Sequence, residues 1–393
     1  MDINRRQFMT TMAAASVAAS VSAHAQDSAT KKLKACIIGD TKNGGYGHDM
    51  HLVFTLRDNV EVVGLADPDE AGRTKCGAEA KAARLYADYR EMLEKEKPDL
   101  VVVGPRQTPK HKEYLLACAE HGCHGILEKP LCVDLAEADE ILAAMDAKNL
   151  KWGIGFNFRA SALMQHVRKL VVEDRILGSI LELRARGKED NRAGGEDLVV
   201  LGCHIFDMMK YLMDKPSWCS ADITFNGKPA TKADVTEATE PLGPIVGNRI
   251  SATFGFAQGV PGSFTSMKNR DGGGRWGLDL YGSQAVMTIR MNVDAQIYIL
   301  RDPTWAPGGQ DVKWEPLPDA PAPPEGEQKL TRYLPIINDV IACIGTDKTP
   351  MCSIQDGRDA LEMTQAVFES YIQGGNRVAI PLKERTHPLK RWA

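Results

Sequence analysis

The stretch Ala35-Cys36-Ile37-Ile38-Gly39-Asp40-Thr41-Lys42-Asn43-Gly44-Gly45-Tyr46-Gly47 decides how the chain is read. It opens as a short apolar run, the mark of a buried strand, and then breaks into glycines. A helix-like run follows from Gly47 to Leu56. Strand, glycine turn and helix form the context of a dinucleotide-binding loop. Glycines let the backbone turn tightly and approach a pyrophosphate, and a helix start offers that anion free N–H groups and a positive dipole end. Twenty residues past Gly47, at the end of the apolar run Val60–Ala66, stands Asp67. A carboxylate there can accept hydrogen bonds from both ribose hydroxyls of NAD. The loop is not a clean G-x-G-x-x-G, because Thr41, Lys42 and Asn43 precede Gly44-Gly45-Tyr46-Gly47. Gly39, Gly44, Gly45, Tyr46, Gly47 and Asp67 are therefore the expected cofactor residues. Asp67 followed by Pro68-Asp69 repels a 2′-phosphate and favours NAD, while Arg73 keeps NADP open.

The chain has 393 residues, which points to two domains. A net charge of −4 with no basic stripe argues against a nucleic-acid partner. Asn4-Arg5-Arg6-Gln7-Phe8-Met9 is a twin-arginine start, followed by a weakly apolar stretch from Met12 to Ser22 and an A-x-A site at Ala23-His24-Ala25. Residues 1–25 are thus expected to be a signal peptide rather than a membrane span, which takes about 20 strongly apolar residues. The expected location is periplasmic or otherwise extracytoplasmic. The twin-arginine route carries folded proteins, which suits a protein that loads its nucleotide before export. Nine cysteines include no C-x-x-C, so neither a disulfide framework nor a metal site is expected.

From Lys34 onward strands and helices alternate. Asp99-Leu100-Val101-Val102-Val103-Gly104 is a continuous apolar run, His124–Leu127 is the next strand, and Trp152–Asn157 another. This βαβ rhythm makes residues 33–155 a doubly wound parallel sheet of Rossmann type. Beyond it, residues 156–393 read as an α+β domain with a large open, mainly antiparallel sheet. A helix is expected near Ser161 to Asp174 and another from about Glu196 to Met213. Long alternating strands are expected at Arg249–Lys268 and Arg275–Met291. Seven prolines between Asp302 and Gln328 mark a long surface loop. Helices at Leu330–Ile344 and Ile354–Gln373 and a strand at Val378–Leu382 close the chain.

At Glu128-Lys129-Pro130 the chain resembles the Gfo/Idh/MocA oxidoreductases, a family of sugar and polyol dehydrogenases and reductases. The glycine loop, Asp67, Pro105 with His111, Glu128-Lys129-Pro130, Asn157-Phe158-Arg159, Gly194-Gly195, Gly202-Cys203-His204-Ile205-Phe206-Asp207 and Gln355-Asp356-Gly357 fall in family order over nearly all of the mature chain. The resemblance implies that Pro105, His111, Glu128, Lys129 and Asn157 lie on the cofactor side. It also implies a catalytic Lys129, a sugar substrate, and a sheet that packs against a partner subunit in a homodimer or tetramer.

The residue chemistry agrees. Lys129 follows a parallel strand, where an ammonium can polarise a carbonyl or stabilise an alkoxide. His204 can accept and return a proton near neutral pH, and Asp207, one turn on, is expected to orient it. Arg159, Asp190, Asn191 and Arg192 lie on loops expected to face substrate. Many family members carry an aspartate four residues before the histidine. Here Val200 stands there, and Asp197 is two turns from His204. Three activities stay open: hydride transfer to or from a sugar, an NAD-assisted glycoside lyase or hydrolase that oxidises its substrate transiently, and a non-catalytic sugar-binding protein.

Overall fold

A computed structural model describes residues 32–268, 274–291, 295–308 and 312–392. The twin-arginine stretch and its cleavage site lie outside them. Six strands form the first sheet: β1 Leu33–Ile38, β2 Val60–Ala66, β3 Arg84–Tyr86, β4 Leu100–Val103, β5 His124–Leu127 and β6 Trp152–Ile154. Their order is β3-β2-β1-β4-β5-β6 and every pairing is parallel. All of β4 is buried, as a run of Leu and Val covered on both faces requires. Helices α1 Glu70–Glu79, α2 Tyr89–Glu96, α3 Thr108–Glu120 and α4 Leu135–Asp146 make the crossovers. Asp69, Asp88 and Asp134 cap three of them by accepting first-turn N–H groups. Strand order reverses between β1 and β4, which opens a crevice at their carboxyl ends.

The helix expected over Gly47–Leu56 does not form. Gly47 and Asp49 take φ of 65° and 62°, which no right-handed helix tolerates. A single 3₁₀ turn, Met50–Leu52, remains, closed by Leu52 N–H to Asp49 O at 3.0 Å and Val53 N–H to Met50 O at 3.1 Å. So short a turn has little aligned dipole to offer an anion.

The second sheet has ten strands among the described residues, led by β7 Ile180–Arg186, β8 Trp218–Phe225, β9 Arg249–Gly255, β10 Pro261–Met267, β11 Gly277–Gly282, β12 Val286–Arg290 and β13 Gln296–Leu300. The central order is β13-β12-β11-β7-β10-β9-β8, antiparallel except for β7 against β10. The two long alternating stretches are hairpins rather than single strands. Gln258 and Gly259, at φ 58° and 76°, turn the first, and Ser283-Gln284 turns the second. The strand expected at Val378–Leu382 shortens to Val378–Ala379.

The region expected as one helix from Glu196 divides into α5 Gly195–Val200 and α6 Gly202–Met213 around Leu201. The helix α7 Leu334–Cys343 precedes α8 Ile354–Ile372, whose Ser353–Asp356 capping box fixes its start. Helix α8 packs on α6 and β8, and Ile154 N–H donates to Cys352 O at 2.7 Å, joining it to the edge of the first sheet. A buried ion cluster locks this junction. Arg159 pairs with Asp207 at 2.7 Å and Asp356 at 2.9 Å, while Lys210 pairs with Asp356 and Asp359 at 2.6 Å each. Removing one member leaves a buried charge uncompensated, so Arg159→Ala should cost about 3–5 kcal/mol in denaturant unfolding. A loss below about 1 kcal/mol would mean that the cluster is solvated and holds little.

Candidate active site

Lys129 follows β5 and is 5% exposed. Its Nζ donates to Val200 O at 3.3 Å. That carbonyl is free because the helix breaks at Leu201: His204 N–H turns to Leu201 O at 3.2 Å, leaving Val200 O to Lys129 and Cys203 Sγ. A backbone oxygen thus holds the ammonium at the place where an aspartate is common. Asp197 gives no carboxylate substitute. It accepts hydrogen bonds from Ser266 Oγ at 2.6 Å, Glu189 N–H at 3.1 Å and Lys188 N–H at 3.2 Å, so it shapes a loop.

His204, 5% exposed, sits in an aromatic cage with ring centroids at 5.6 Å from Phe156 and Phe158 and 5.7 Å from Trp276. Burial, with Lys129 and His48 adding to it, holds its pKa well below the ordinary 6.5, so the ring is neutral. Its Nδ1 is buried and has no hydrogen-bond partner among the described residues. Asp207 does not orient it, which corrects the expectation from helical spacing. Its carboxylate accepts from Arg159 instead, and burial pushes it up to about 7 against the pull of that guanidinium. Arg159 itself lies in the buried cluster rather than facing a substrate.

Glu128 is fully buried, and burial pushes its carboxyl up. Oε2 accepts from the Tyr333 hydroxyl at 3.3 Å, while Oε1 has no hydrogen-bond partner and lies 3.8 Å from Lys129 Nζ. His111 is also fully buried. Its Nδ1 lies 2.8 Å from Pro130 O and its Nε2 2.7 Å from Pro105 O. Burial lowers its pKa, so the neutral ring donates its one N–H to one of these carbonyls and packs between the turns after β4 and β5, positioning Lys129 rather than touching a cofactor. Pro105 acts with it through its carbonyl. Asn157 opens a short helix, Asn157–Ala160, directly after β6.

A cleft of about 420 Å³ runs along the carboxyl ends of β1 to β4, lined by Gly39, Asp40, Asn43, Pro68 and Gln107 among others. Gly44 is required here, because at φ 93° a Cβ would meet the backbone of Arg106. Asp67 departs from expectation. Its carboxylate is fully buried and already accepts from Thr41 N–H at 3.0 Å, Thr41 Oγ1 at 2.6 Å, the Tyr46 hydroxyl at 2.7 Å and Asp69 N–H at 2.8 Å. Tyr46 lies over Gly39, where any Cβ would collide with the ring, and supplies the hydroxyl assigned in the sequence reading to ribose. Elsewhere the residues fit a dinucleotide. Arg106 Nε and Glu128 Oε1 are buried beside this loop with no hydrogen-bond partner among the described residues, a cation for phosphate and an acceptor for a hydroxyl.

Asp190 and Arg192 pair with each other at 2.8 Å, and Arg192 reaches Glu240 at 2.9 Å. They form a polar rim near His48, whose pKa is lowered to about 4 by burial first, then by Lys129, Arg332, Arg106 and Arg192. The sequence reading missed His48, Trp276 and Tyr333 as members of the site. His48 was signalled by its place after Gly47. The other two come from more than 70 residues downstream of His204 and carried no local mark.

With this geometry in view, the comparisons are direct. A model described as oxidoreductase family, NAD-binding Rossmann fold, matches residues 33–156. One described as oxidoreductase family, C-terminal alpha/beta domain, matches residues 183–380. The chain belongs to the Gfo/Idh/MocA oxidoreductase family, whose Rossmann domain binds NAD. It is 25% identical over 356 residues to D-apiose dehydrogenase of Paraburkholderia graminis, covering 88% of this chain and 89% of that protein. It is 27% identical over 244 residues to levoglucosan dehydrogenase of Pseudarthrobacter phenanthrenivorans, covering 54% and 60%. A solved levoglucosan dehydrogenase, in complex with NADH and levoglucosan, superposes with a TM-score of 0.71 at 17% identity over 89% of this chain and all of that one. This last likeness concerns the fold.

The Asp67 geometry makes a prediction. Tyr46→Phe removes one donor and frees a carboxylate lone pair for ribose. A hydrogen bond is worth about 0.5–1.5 kcal/mol net, so NAD should bind about two- to tenfold tighter by calorimetry. Weaker binding would mean that the phenol itself holds the nucleotide.

Proposed function

We propose that the chain is an exported, NAD-dependent oxidoreductase that moves hydride between the nicotinamide and a CH–OH carbon of a sugar or sugar derivative. The observation that carries this reading is the meeting of Lys129 and neutral His204 at the helix break after Val200. Bound NAD supplies the hydride acceptor or donor. Lys129, buried and held by the Val200 carbonyl with Glu128 Oε1 3.8 Å away, is placed to offer its ammonium to a substrate oxygen. His204, caged by aromatic rings, takes the hydroxyl proton on oxidation and returns it on reduction. The rim of Asp190, Arg192 and Glu240 offers hydrogen-bonding groups to a polyol. The dehydrogenases of apiose and levoglucosan among its relatives support a sugar substrate. The twin-arginine start supports export of a nucleotide-loaded protein. Exposed Leu181 and Phe225 on the second sheet support a homodimer or tetramer.

The first test is to denature the purified protein and identify released nucleotide by mass spectrometry, then follow NADH with a panel of sugars and polyols. NAD(H) near one per chain and turnover that falls about 10²–10⁴-fold in Lys129→Ala are the expected results. No nucleotide bound or bindable, or turnover indifferent to Lys129→Ala, would sink the reading.

The pH dependence follows from His204. The neutral ring is the working base, present above its pKa and lost as pH falls through it. Because that pKa lies well below 6.5, kcat/KM for oxidation should stay level through pH 6.5 and decline only at lower pH. A limb at or above 6.5 that disappears in His204→Gln would contradict the apolar cage as the controlling influence.

A further inference from the structure

We propose that His51, Cys76 and Glu79 form a zinc site on the outer side of the glycine loop, separate from Lys129 and His204. The sequence offers no metal spacing here, since the histidine stands 25 residues from the cysteine. The fold brings them together. Cys76 and Glu79 are three apart in the last turn of α1 and share one face, and the 3₁₀ turn Met50–Leu52 sets His51 against it. One ligand atom from each lies within 4.8 Å of the others. Zinc bonds of about 2.0–2.3 Å need them closer by roughly 1 Å, which small χ changes can supply.

Three features distinguish the cluster from an ordinary surface pair. First, its chemistry is mixed: imidazole nitrogen, thiol sulfur and carboxylate oxygen together suit zinc better than the oxygen-seeking Mg²⁺ or Ca²⁺. Second, His51 is 4% exposed, so its ring is fixed in the wall of the cluster, and Nε2 faces inward, meeting Glu79 Oε2 at 2.9 Å. Third, the cluster opens on a cleft of about 590 Å³ that all three residues line, with Glu79 at its exposed edge. The open side leaves a fourth position for water. On binding, the Cys76 thiol releases its proton to solvent and the thiolate coordinates. Lys75, Lys81 and Lys329 on the cleft wall are offset by Asp49, Glu79 and Glu327, with Lys329 paired to Glu327 at 3.0 Å, so no net cationic field opposes the ion.

The site borders the cofactor loop. The His51 ring centroid lies 5.0 Å from that of Tyr46, whose hydroxyl reaches Asp67. An ion on His51 would stiffen the turn that carries Tyr46.

The test uses cobalt as the probe. The purified chain, stripped with chelator, is titrated with Co²⁺ and followed for thiolate-to-cobalt charge-transfer absorption in the near ultraviolet, then back-titrated with Zn²⁺. One equivalent per chain, displaced by zinc and lost in Cys76→Ser, is the expected result. Glu79→Gln, at an exposed position that leaves the fold intact, should weaken cobalt binding at least about tenfold. Absence of the band at any ratio, its persistence in Cys76→Ser, or unchanged affinity in Glu79→Gln would overturn the proposal. Because the readout is metal binding, it is independent of the oxidoreductase reading.

Discussion

The contact on which the active site depends is the hydrogen bond from Lys129 Nζ to Val200 O. It joins the carboxyl edge of the parallel sheet to the helices beneath the second sheet, and it exists only because the helix breaks at Leu201. Had α5 and α6 been continuous, the Val200 carbonyl would be spent on the His204 N–H. The break does two things together: it supplies an oxygen for the ammonium and begins α6 so that His204 comes up beside it. A carboxylate at residue 200 would have bound the lysine more strongly but neutralised it. A carbonyl holds the ammonium in place without adding a second carboxylate to Glu128, whose Oε1 already lies 3.8 Å away.

The surroundings divide charged from neutral groups. Arg159, Asp207, Asp356, Lys210 and Asp359 compensate one another below α6, away from the reacting face. Isolated, any of them would be costly to bury. Together they fix where α6 and α8 cross, and so where His204 sits. The face above is apolar and aromatic, which keeps the imidazole uncharged. His111 does the corresponding work on the other wall, wedged between the Pro105 and Pro130 carbonyls and donating its one N–H to one of them.

The fold was legible because its signals are local. A fully apolar β4, the alternation of strands and helices in the first domain and alternating residues in the second sheet each follow from a few consecutive residues. The departures came where one residue's backbone angle outweighs a pattern. Positive φ at Asp49 ended the expected helix after the glycine loop, and the turn at Gln258-Gly259 cut a long strand into a hairpin. Site residues followed the same rule. Lys129 and His204 stood out by chemistry and position, but their partners did not. Helical spacing placed Asp207 beside His204, whereas Arg159, 48 residues earlier, claimed its carboxylate. Spacing along one helix names neighbours and cannot rank them against a stronger charge arriving from elsewhere in the chain.

Asp67 obeys the same rule. Its place after β2 was readable, but its hydrogen bonds were not, because they come from Thr41, one of the extra loop residues, and from Tyr46 among the glycines. A buried carboxylate without donors is expensive, and a protein that must fold before its nucleotide arrives needs something to satisfy it. The Tyr46 hydroxyl can do this with the same chemistry as a ribose hydroxyl, so exchanging one for the other conserves the hydrogen bond and costs mainly the movement of one ring. Thr41 and the Tyr46 phenol thus keep the Asp67 carboxylate buried and paired, and a ribose hydroxyl that reached it would do so in place of the phenol.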